Sequence, residues 1–251
     1  MAYQFVSAFL SDRTNAAHSA VRLKLPPPSV MSHLTPSTFD QFAVEHDIIV
    51  LSDEIYARII YGAQFKSMMS YPGMADRTLI LDGFSKSFAM TGWRLGYTVA
   101  PARIVPALAM LAINSYTCVA EFSQYAAIEA LRDRDGATPR MVGKFDKRRQ
   151  QFIRDLNRIP GFRCQSPEGA FYAWVNISDT GMPAEELCRI MLEEAGVAAI
   201  PGAAFGAAGS DFIRFSFASS TANLQEAIER ILHASAAWQP SVARAPSPAC
   251  P

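Results

Sequence analysis

Lys86 lies in a short segment whose residue types could support chemistry on an amine. The strand-forming run Thr78–Leu81 leads into it, and the small residues Gly83 and Ser85 closely precede it. A lysine held on a tight turn among small residues can lie close to a ligand, and desolvation there makes its amine nucleophilic. Arg94 follows eight residues later, and a guanidinium group suits a phosphate. Together these residues favour an aldehyde cofactor that carries a phosphate, which is pyridoxal phosphate (PLP).

Taken alone, a lysine beside a serine is most often a solvated surface residue, because lysine is rarely buried without a partner. The whole segment Gly83–Gly96 reads GFSKSFAMTGWRLG. It resembles the lysine segment of the PLP-dependent class I/II aminotransferases, which are aspartate aminotransferase-like enzymes of fold type I. The resemblance implies that Lys86 is the catalytic residue and forms a Schiff base with PLP. It also implies that Arg94, together with Ser85, binds the phosphate of the cofactor.

Two residues upstream of this segment match further cofactor-binding positions of the family. Asp53 follows the apolar run Ile48–Leu51, and a residue at the carboxyl end of a parallel strand points into the ligand crevice. Alone, Asp53 would more often be a helix cap or a loop acid, and Tyr56 would as readily be a packing aromatic. The resemblance implies that Asp53 pairs with the pyridinium nitrogen of PLP and that Tyr56 hydrogen-bonds its phenolic oxygen.

Arg214 interrupts the alternating strand pattern of Asp211–Ala218. A lone arginine in such a strand is most often an edge residue. By resemblance, Arg214 binds the α-carboxylate of the substrate, since a guanidinium fork forms two parallel hydrogen bonds with a carboxylate and lysine does not. The nearby segment Pro201–Gly206 resembles a loop on the substrate side, although Pro-Gly is in the first place a turn.

The composition indicates a soluble globular enzyme. Half of the residues are hydrophobic, and the 23 basic residues balance the 23 acidic ones, so nothing favours nucleic-acid binding. The longest apolar run, Ile104–Ile113, is too short to cross a membrane. The cysteines have neither metal-type spacing nor a disulfide pattern, so we expect no metal and a reducing, cytoplasmic setting. They are Cys118, Cys164, Cys188 and Cys250.

Strand and helix patterns alternate along the chain, which is typical of an α/β fold. We expect a partial large domain with a mostly parallel sheet and a smaller α+β C-terminal domain. Strands are predicted near 48–51, 78–82, 94–99, 163–166, 171–176, 197–200 and 212–218, with a strand remnant at 21–25. Helices are predicted near 35–45, 102–113, 119–132, 138–160, 183–195 and 221–236. The predicted organisation is an atypical N-terminal segment 1–33, a partial PLP-binding domain 34–115, a connecting helix 116–135, a small domain 136–236 and a disordered tail 237–251.

The resemblance covers roughly residues 34–236, and members of the family are considerably longer at the N-terminus. The chain has no counterpart of their glycine turn and helix N-terminus, which bind the phosphate, or of their ring-stacking aromatic residue. The asparagine that bonds the ring oxygen is also missing from the corresponding run Leu25–His33. We therefore expect an N-terminally truncated chain that binds PLP weakly. For residues 1–24, a shifted start site or a recombined gene end is favoured over a transit peptide.

The resemblance implies a PLP-dependent aminotransferase that transfers an amino group between an amino acid and a 2-oxo acid, as a homodimer. A PLP-dependent lyase of the same fold, a non-catalytic fragment and the effector domain of a PLP-binding transcription regulator are the alternatives. The string Thr91–Arg94 favours the aminotransferases, and no basic helix-turn-helix segment is found ahead of the fold. The sequence does not identify the amino acid.

Overall fold

The computed structural model describes residues 6–9, 36–133 and 135–236, and it describes side chains from Phe39 onward. The chain divides into two compact units, with the boundary between Thr138 and Pro139. The strand remnant expected at 21–25, the segment Leu25–His33 and the expected tail 237–251 lie outside the described residues.

The first unit contains a sheet in the order β1-β2-β3-β4. Its strands are β1 (Val6–Phe9), β2 (Ile49–Asp53), β3 (Thr78–Gly83) and β4 (Gly96–Val99). Strands β2 and β3 are parallel, whereas β1 pairs with β2 and β4 pairs with β3 in antiparallel orientation. The α/β class is confirmed, but the described part of this sheet is mixed rather than mostly parallel. No strand was predicted at β1, which covers the outer edge of β2.

The first unit also contains three helices, which are α1 (Pro36–Glu45), α2 (Val105–Tyr116) and α3 (Glu121–Arg132). Helix α1 precedes β2 in the sequence, and α2 and α3 follow β4. Helix α1 begins at a proline, as predicted, because the first helical position needs no backbone N–H donor. Its apolar face forms a buried cluster with β2 and the segment after it. The buried members are Phe39, Ala43, Ile48, Val50, Met68 and Met74.

Helix α2 is apolar from Val105 to Ile113, yet none of its residues is buried. Its Met110 and Leu111 side chains are 65% and 64% exposed, and all residues of β4 are exposed as well. A strongly apolar helix is normally covered by other protein, whereas this one is exposed in the structure.

The second unit combines the helices α4 (Ala137–Leu156), α5 (Ala184–Ala195) and α6 (Thr221–Ser235) with a second sheet. Helix α4 starts two residues ahead of the boundary between the units. The sheet order is β5-β6-β8-β7, and each pair is antiparallel. These strands are β5 (Arg163–Cys164), β6 (Tyr172–Asn176), β7 (Ile200–Pro201) and β8 (Phe212–Ser216).

Strands β6 and β8 alternate between a buried and a half-buried face. Ala173, Val175, Ile213 and Phe215 are buried, so this face of the sheet belongs to the core. The opposite face therefore carries the remaining side chains of the two strands, which are Tyr172, Trp174, Asn176, Phe212, Arg214 and Ser216. The period-2 pattern of a strand thus places Arg214 on the face away from the core.

The two helices that follow β6 confirm the predictions to within a residue. Gly196 ends α5 in the left-handed conformation, and Val197 N still donates to Met191 O at 2.9 Å. The strand predicted at 197–200 therefore starts later, because this cap occupies Val197, and β7 begins at Ile200. At the start of α6, the hydroxyl of Ser220 accepts a hydrogen bond from Asn223 N. No helix in the described residues is both long enough and apolar enough to cross a membrane.

Candidate active site

The parallel pair of strands brings Asp53 and the Lys86 turn to one edge of the first sheet. Asp53 is the last residue of β2 and lies opposite Leu81 of β3. Glu54 N, the next backbone donor, bonds to Leu81 O at 2.8 Å. Lys86 lies in the turn that directly follows β3. Because parallel strands end at the same side of a sheet, both residues belong to the edge where α/β proteins bind ligands.

Arg94 returns to this edge because β4 runs antiparallel to β3. Gly96 at the start of β4 lies opposite Gly83 at the end of β3, and Phe84 N donates to Leu95 O at 3.3 Å. Arg94 itself is exposed and has a left-handed backbone, with φ 51° and ψ 49°. Its Nη1 donates to Thr91 O at 3.0 Å, which leaves most N–H donors of the guanidinium to other acceptors.

The turn that carries Lys86 is fixed through its backbone. Phe84 O accepts hydrogen bonds from Phe88 N and Met90 N, both at 3.2 Å, and Lys86 O accepts from Ala89 N at 3.2 Å. Phe84 and Met90 are buried together with Ala127 of α3. The side chain of Lys86 is half-buried, so a rigid and anchored turn presents a partly accessible amine.

Two buried side-chain contacts hold the ends of this turn. Thr138 Oγ1 donates to Ser87 O at 3.0 Å, in a buried position. Ser123 in the first turn of α3 is also buried, and its hydroxyl donates to Trp93 O at 3.1 Å. The segment that contains Lys86 is therefore tied by hydrogen bonds to α3 and to Thr138, the last residue of the first unit.

Gly83 is required by the close approach of β3 and β4. A Cβ atom at residue 83 would lie 2.9 Å from Gly96 Cα and 3.1 Å from Leu95 O. Real Cβ atoms do not approach backbone atoms to 2.9 Å, so no larger residue fits without a shift of β4. The hydroxyl groups of this segment that could bind a ligand therefore come after Gly83, and Ser85 is the first of them.

The other two predicted residues of this edge are found in the turn after β2. Asp53 is exposed, and its Oδ1 accepts a hydrogen bond from Ile55 N at 3.2 Å. Tyr56 is half-buried, and its carbonyl accepts from Ile59 N at 2.9 Å. The first unit thus brings Asp53, Tyr56, Ser85, Lys86 and Arg94 to one sheet edge, whereas Arg214 belongs to the second unit.

Comparison with known proteins identifies the family of this arrangement. A sequence profile described as "Aminotransferase class I and II" matches residues 32–231. The chain belongs to this aminotransferase family. It is 42% identical over 209 residues to an aspartate aminotransferase of Pyrococcus abyssi, covering 82% of this chain and 54% of that protein. It is also 42% identical over 193 residues to an aromatic-amino-acid aminotransferase 2 of Thermococcus litoralis, covering 76% and 49%.

A solved structure of an aminotransferase has the same fold as this chain. The aromatic aminotransferase from Pyrococcus horikoshii OT3 superposes with a TM-score of 0.76 and 42% identity, over 79% of this chain and 53% of that one. The chain spans about half the length of the relatives that it matches. Its α/β fold is therefore that of the corresponding part of these aminotransferases.

The side chains at the sheet edge fit a phosphorylated pyridine aldehyde by their chemistry. An amine suits an aldehyde, a carboxylate suits a protonated ring nitrogen, and a guanidinium suits a phosphate. Lys86, Asp53 and Arg94 supply these three groups at one edge. Among residues 39–133 and 135–236 there is no cluster of His, Cys, Asp and Glu that could hold a metal ion.

Glu54, a buried carboxylate beside Asp53, was not predicted from the sequence. Its Oε1 accepts hydrogen bonds from Ser52 Oγ at 3.1 Å, Ser67 Oγ at 3.0 Å and Met68 N at 3.0 Å. Glu54 is only 5% exposed. It ties the chain at residues 67–68 to the end of β2 and so fixes the backbone next to Asp53. The sequence feature that could have indicated Glu54 is an acid that directly follows an apolar strand.

A second pair that the sequence analysis missed joins β3 to β4. Tyr97 Oη donates to Asp82 Oδ2 at 2.7 Å, and Asp82 Oδ1 accepts from Gly83 N at 2.6 Å. Tyr97 is 42% exposed, and partial desolvation of its hydroxyl, together with the hydrogen bond to Asp82, raises the pKa of Tyr97 to about 12. The phenol therefore stays protonated and donates this bond throughout the neutral pH range, which holds the carboxyl end of β3 in place.

Arg214 lies between two aromatic rings in the second unit. Its Cζ atom is 4.3 Å from the ring centroid of Tyr172 and 4.3 Å from that of Phe205. The side chain is half-buried, and no aspartate or glutamate of the described residues forms an ion pair with it. A half-buried cation on aromatic faces is a suitable group for an anionic ligand.

Proposed function

We propose that this chain carries the lysine-containing part of a PLP-dependent aminotransferase, which transfers an amino group between an amino acid and a 2-oxo acid. The observation that supports this proposal most strongly is the common sheet edge of Lys86, Asp53 and Arg94. When bound there, PLP would supply a ring that withdraws electrons from the α-carbon of the substrate.

We assign Lys86 two tasks at this edge. Its Nζ would attach the aldehyde of the cofactor, and as a free amine it would move a proton to and from the substrate α-carbon. Both tasks need an amine whose position is set by the protein. The hydrogen bonds of Phe84 O and Lys86 O and the buried contact of Ser87 with Thr138 supply that rigidity.

The remaining residues of the edge bind and orient the cofactor. The carboxylate of Asp53 stabilises a positive charge on the ring nitrogen, and the hydroxyl of Tyr56 hydrogen-bonds the ring oxygen. Ser85 and Arg94 bind the phosphate, Arg94 through the N–H donors that the bond to Thr91 O leaves over. In the second unit, Arg214 binds the α-carboxylate of the substrate through its guanidinium fork.

The substrate class is an α-amino acid with its 2-oxo acid. The relatives named above act on aspartate or on aromatic amino acids according to their names, and we propose these two side-chain classes as the first to test. Aspartate and phenylalanine should each be offered as the amino donor with 2-oxoglutarate as acceptor. Glutamate formation would support amino transfer, whereas release of ammonia without glutamate would indicate a lyase.

We also propose that the apolar surface of α2 and α3 is part of a homodimer interface. Phe122 and Tyr125 of α3 are 70% and 64% exposed, as exposed as Met110 and Leu111 of α2, and α2 contains no charged residue. Low charge and exposed aromatic residues are typical of interface cores. Analytical ultracentrifugation of a Met110→Glu/Leu111→Lys variant should give a monomer. The matched control Leu192→Glu, on exposed α5, should leave the dimer intact.

A cytoplasmic location is consistent with the described cysteines, which are all free. Burial raises the pKa of the Cys164 thiol to about 12 and that of Cys188 to about 11. Both thiols are therefore neutral at physiological pH and react slowly with oxidants. We propose that neither takes part in the reaction.

A further inference from the structure

We propose that Tyr172 and Phe205 are positioning residues that hold the guanidinium of Arg214 between their ring faces, so that its N–H edge is ready for a carboxylate. This inference rests on the proposed function, because it concerns the group assigned to the substrate carboxylate. It adds two residues, one from a strand and one from a loop, to the carboxylate site of the second unit.

The two rings come from different elements and approach Arg214 at the same distance. Tyr172 lies on β6, on the face of the sheet that also carries Arg214, and Phe205 lies in the short 3₁₀ turn Gly202–Phe205 after β7. Each ring centroid is 4.3 Å from Arg214 Cζ. This distance is well within the range of about 6 Å in which a cation and an aromatic face attract each other.

The position of Phe205 is determined by close backbone packing in its loop. A Cβ atom on Gly202 would overlap Gly209 O, and a Cβ atom on Gly209 would overlap Gly202 O. The two glycines therefore allow the start and the end of the loop to touch. Phe205 also contacts Trp174 edge to face, with ring centroids 5.6 Å apart. The ring near Arg214 is therefore fixed by its loop and by this contact with Trp174.

In the arrangement that we propose, the two rings pack on the faces of the guanidinium and leave its edge available. The five N–H donors of arginine lie in the plane of the group, and rings that bind its faces do not use them. Restricting the long side chain before the ligand arrives reduces the entropy that is lost on binding. Rings that exclude water also strengthen a charge-assisted hydrogen bond to a carboxylate.

The test measures the binding of 2-oxoglutarate, as the probe, to the full chain. PLP is left out. With isotope-labelled arginine, the NMR signal of the Arg214 side chain is assigned from its loss in Arg214→Lys and followed during titration. Phe205→Leu and Tyr172→Leu should each weaken the affinity by about fivefold and the double variant by about twentyfold or more. The single changes should also shift the Arg214 signal, because each removes a ring current.

Three control variants separate positioning from general structural damage. Phe205→Tyr and Tyr172→Phe keep the rings and should bind 2-oxoglutarate within about twofold of the unchanged chain, since a phenol and a phenyl ring attract a cation similarly. Phe212→Leu removes a ring on the same sheet face that stacks on Trp174 and should also leave the affinity unchanged. Equal affinity in Phe205→Leu, Tyr172→Leu and the unchanged chain would overturn the inference, as would failure of the unchanged chain to bind 2-oxoglutarate.

Failure of this inference and failure of the proposed function give different results. If the chain binds 2-oxoglutarate through Arg214 in the expected order of variants but takes up no PLP, the carboxylate site stands and the aminotransferase proposal fails. If PLP is bound at Lys86 but the leucine variants bind 2-oxoglutarate normally, the positioning role of the two rings fails alone.

Discussion

Gly83 and Gly96 approach each other so closely across β3 and β4 that a Cβ atom on Gly83 would lie 2.9 Å from Gly96 Cα. This contact lies at the carboxyl end of β3, immediately before the turn that carries Lys86. The two glycines therefore set the path by which the chain leaves the sheet and returns to it with Arg94.

Substituting Gly83 should disturb the fold and the site together. We expect Gly83→Ala to lower the free energy of unfolding by about 1–3 kcal/mol, because the added methyl group overpacks the contact between the strands. Urea unfolding of the full chain measures this change. Gly92→Ala is the matched control, since a Cβ there meets no atom within 4 Å, and it should change the stability little. Equal stability of both variants would contradict the proposed role of the contact.

Glu54 should stabilise the end of β2 through the three hydrogen bonds that its carboxylate accepts. Glu54→Ala leaves the buried donors of Ser52 and Met68 unsatisfied, so we expect a loss of about 1–3 kcal/mol in the free energy of unfolding. Glu45→Ala, at an exposed position at the end of α1, should cost less than about 0.5 kcal/mol. A loss no larger than that of the control would show that the bonds of Glu54 contribute nothing net.

Tyr97 should make stability depend on pH in the alkaline range. Its pKa is about 12 in the folded chain against 10.0 for an ordinary tyrosine, so the folded state binds the proton more tightly than the unfolded state. The contribution of protonated Tyr97 to the free energy of unfolding is fully present below about pH 10 and is lost as the pH rises from about 10 to about 12. The unfolding free energy of Tyr97→Phe should fall less steeply than that of the unchanged chain in this window. Parallel curves would contradict the role of the bond between Tyr97 and Asp82.

The strand runs, the helix starts and the Lys86 segment could be predicted from sequence because they depend on local patterns. The partners of Glu54 could not, since Ser67 and Met68 lie 13 and 14 residues away and nothing local links a serine to a distant acid. The ring of Phe205 over Arg214 likewise depends on how the loop after β7 folds back on the sheet. Strand β1 was missed because its pairing with β2 joins segments that are distant in sequence.

The two arginines should separate by function. Arg94→Ala should weaken the affinity for PLP by about 1.5–3 kcal/mol, because it removes a charge-assisted bond to the phosphate. Arg214→Ala should leave PLP affinity almost unchanged and weaken the binding of 2-oxoglutarate. Titrations with the two ligands measure both effects. If both substitutions reduced PLP uptake equally, the assignment of one arginine to the phosphate and the other to the substrate would be wrong.

The measurement that tests the central claim most directly is the identification of the lysine that attaches PLP. The full chain is incubated with excess PLP, reduced with borohydride, digested and mapped by mass spectrometry. The account predicts that Lys86 carries the label and that Lys86→Arg prevents specific labelling, whereas Lys66→Arg, at another lysine of the first unit, does not. A label on another lysine with Lys86 unmodified, or labelling that is unchanged in Lys86→Arg, would contradict the account.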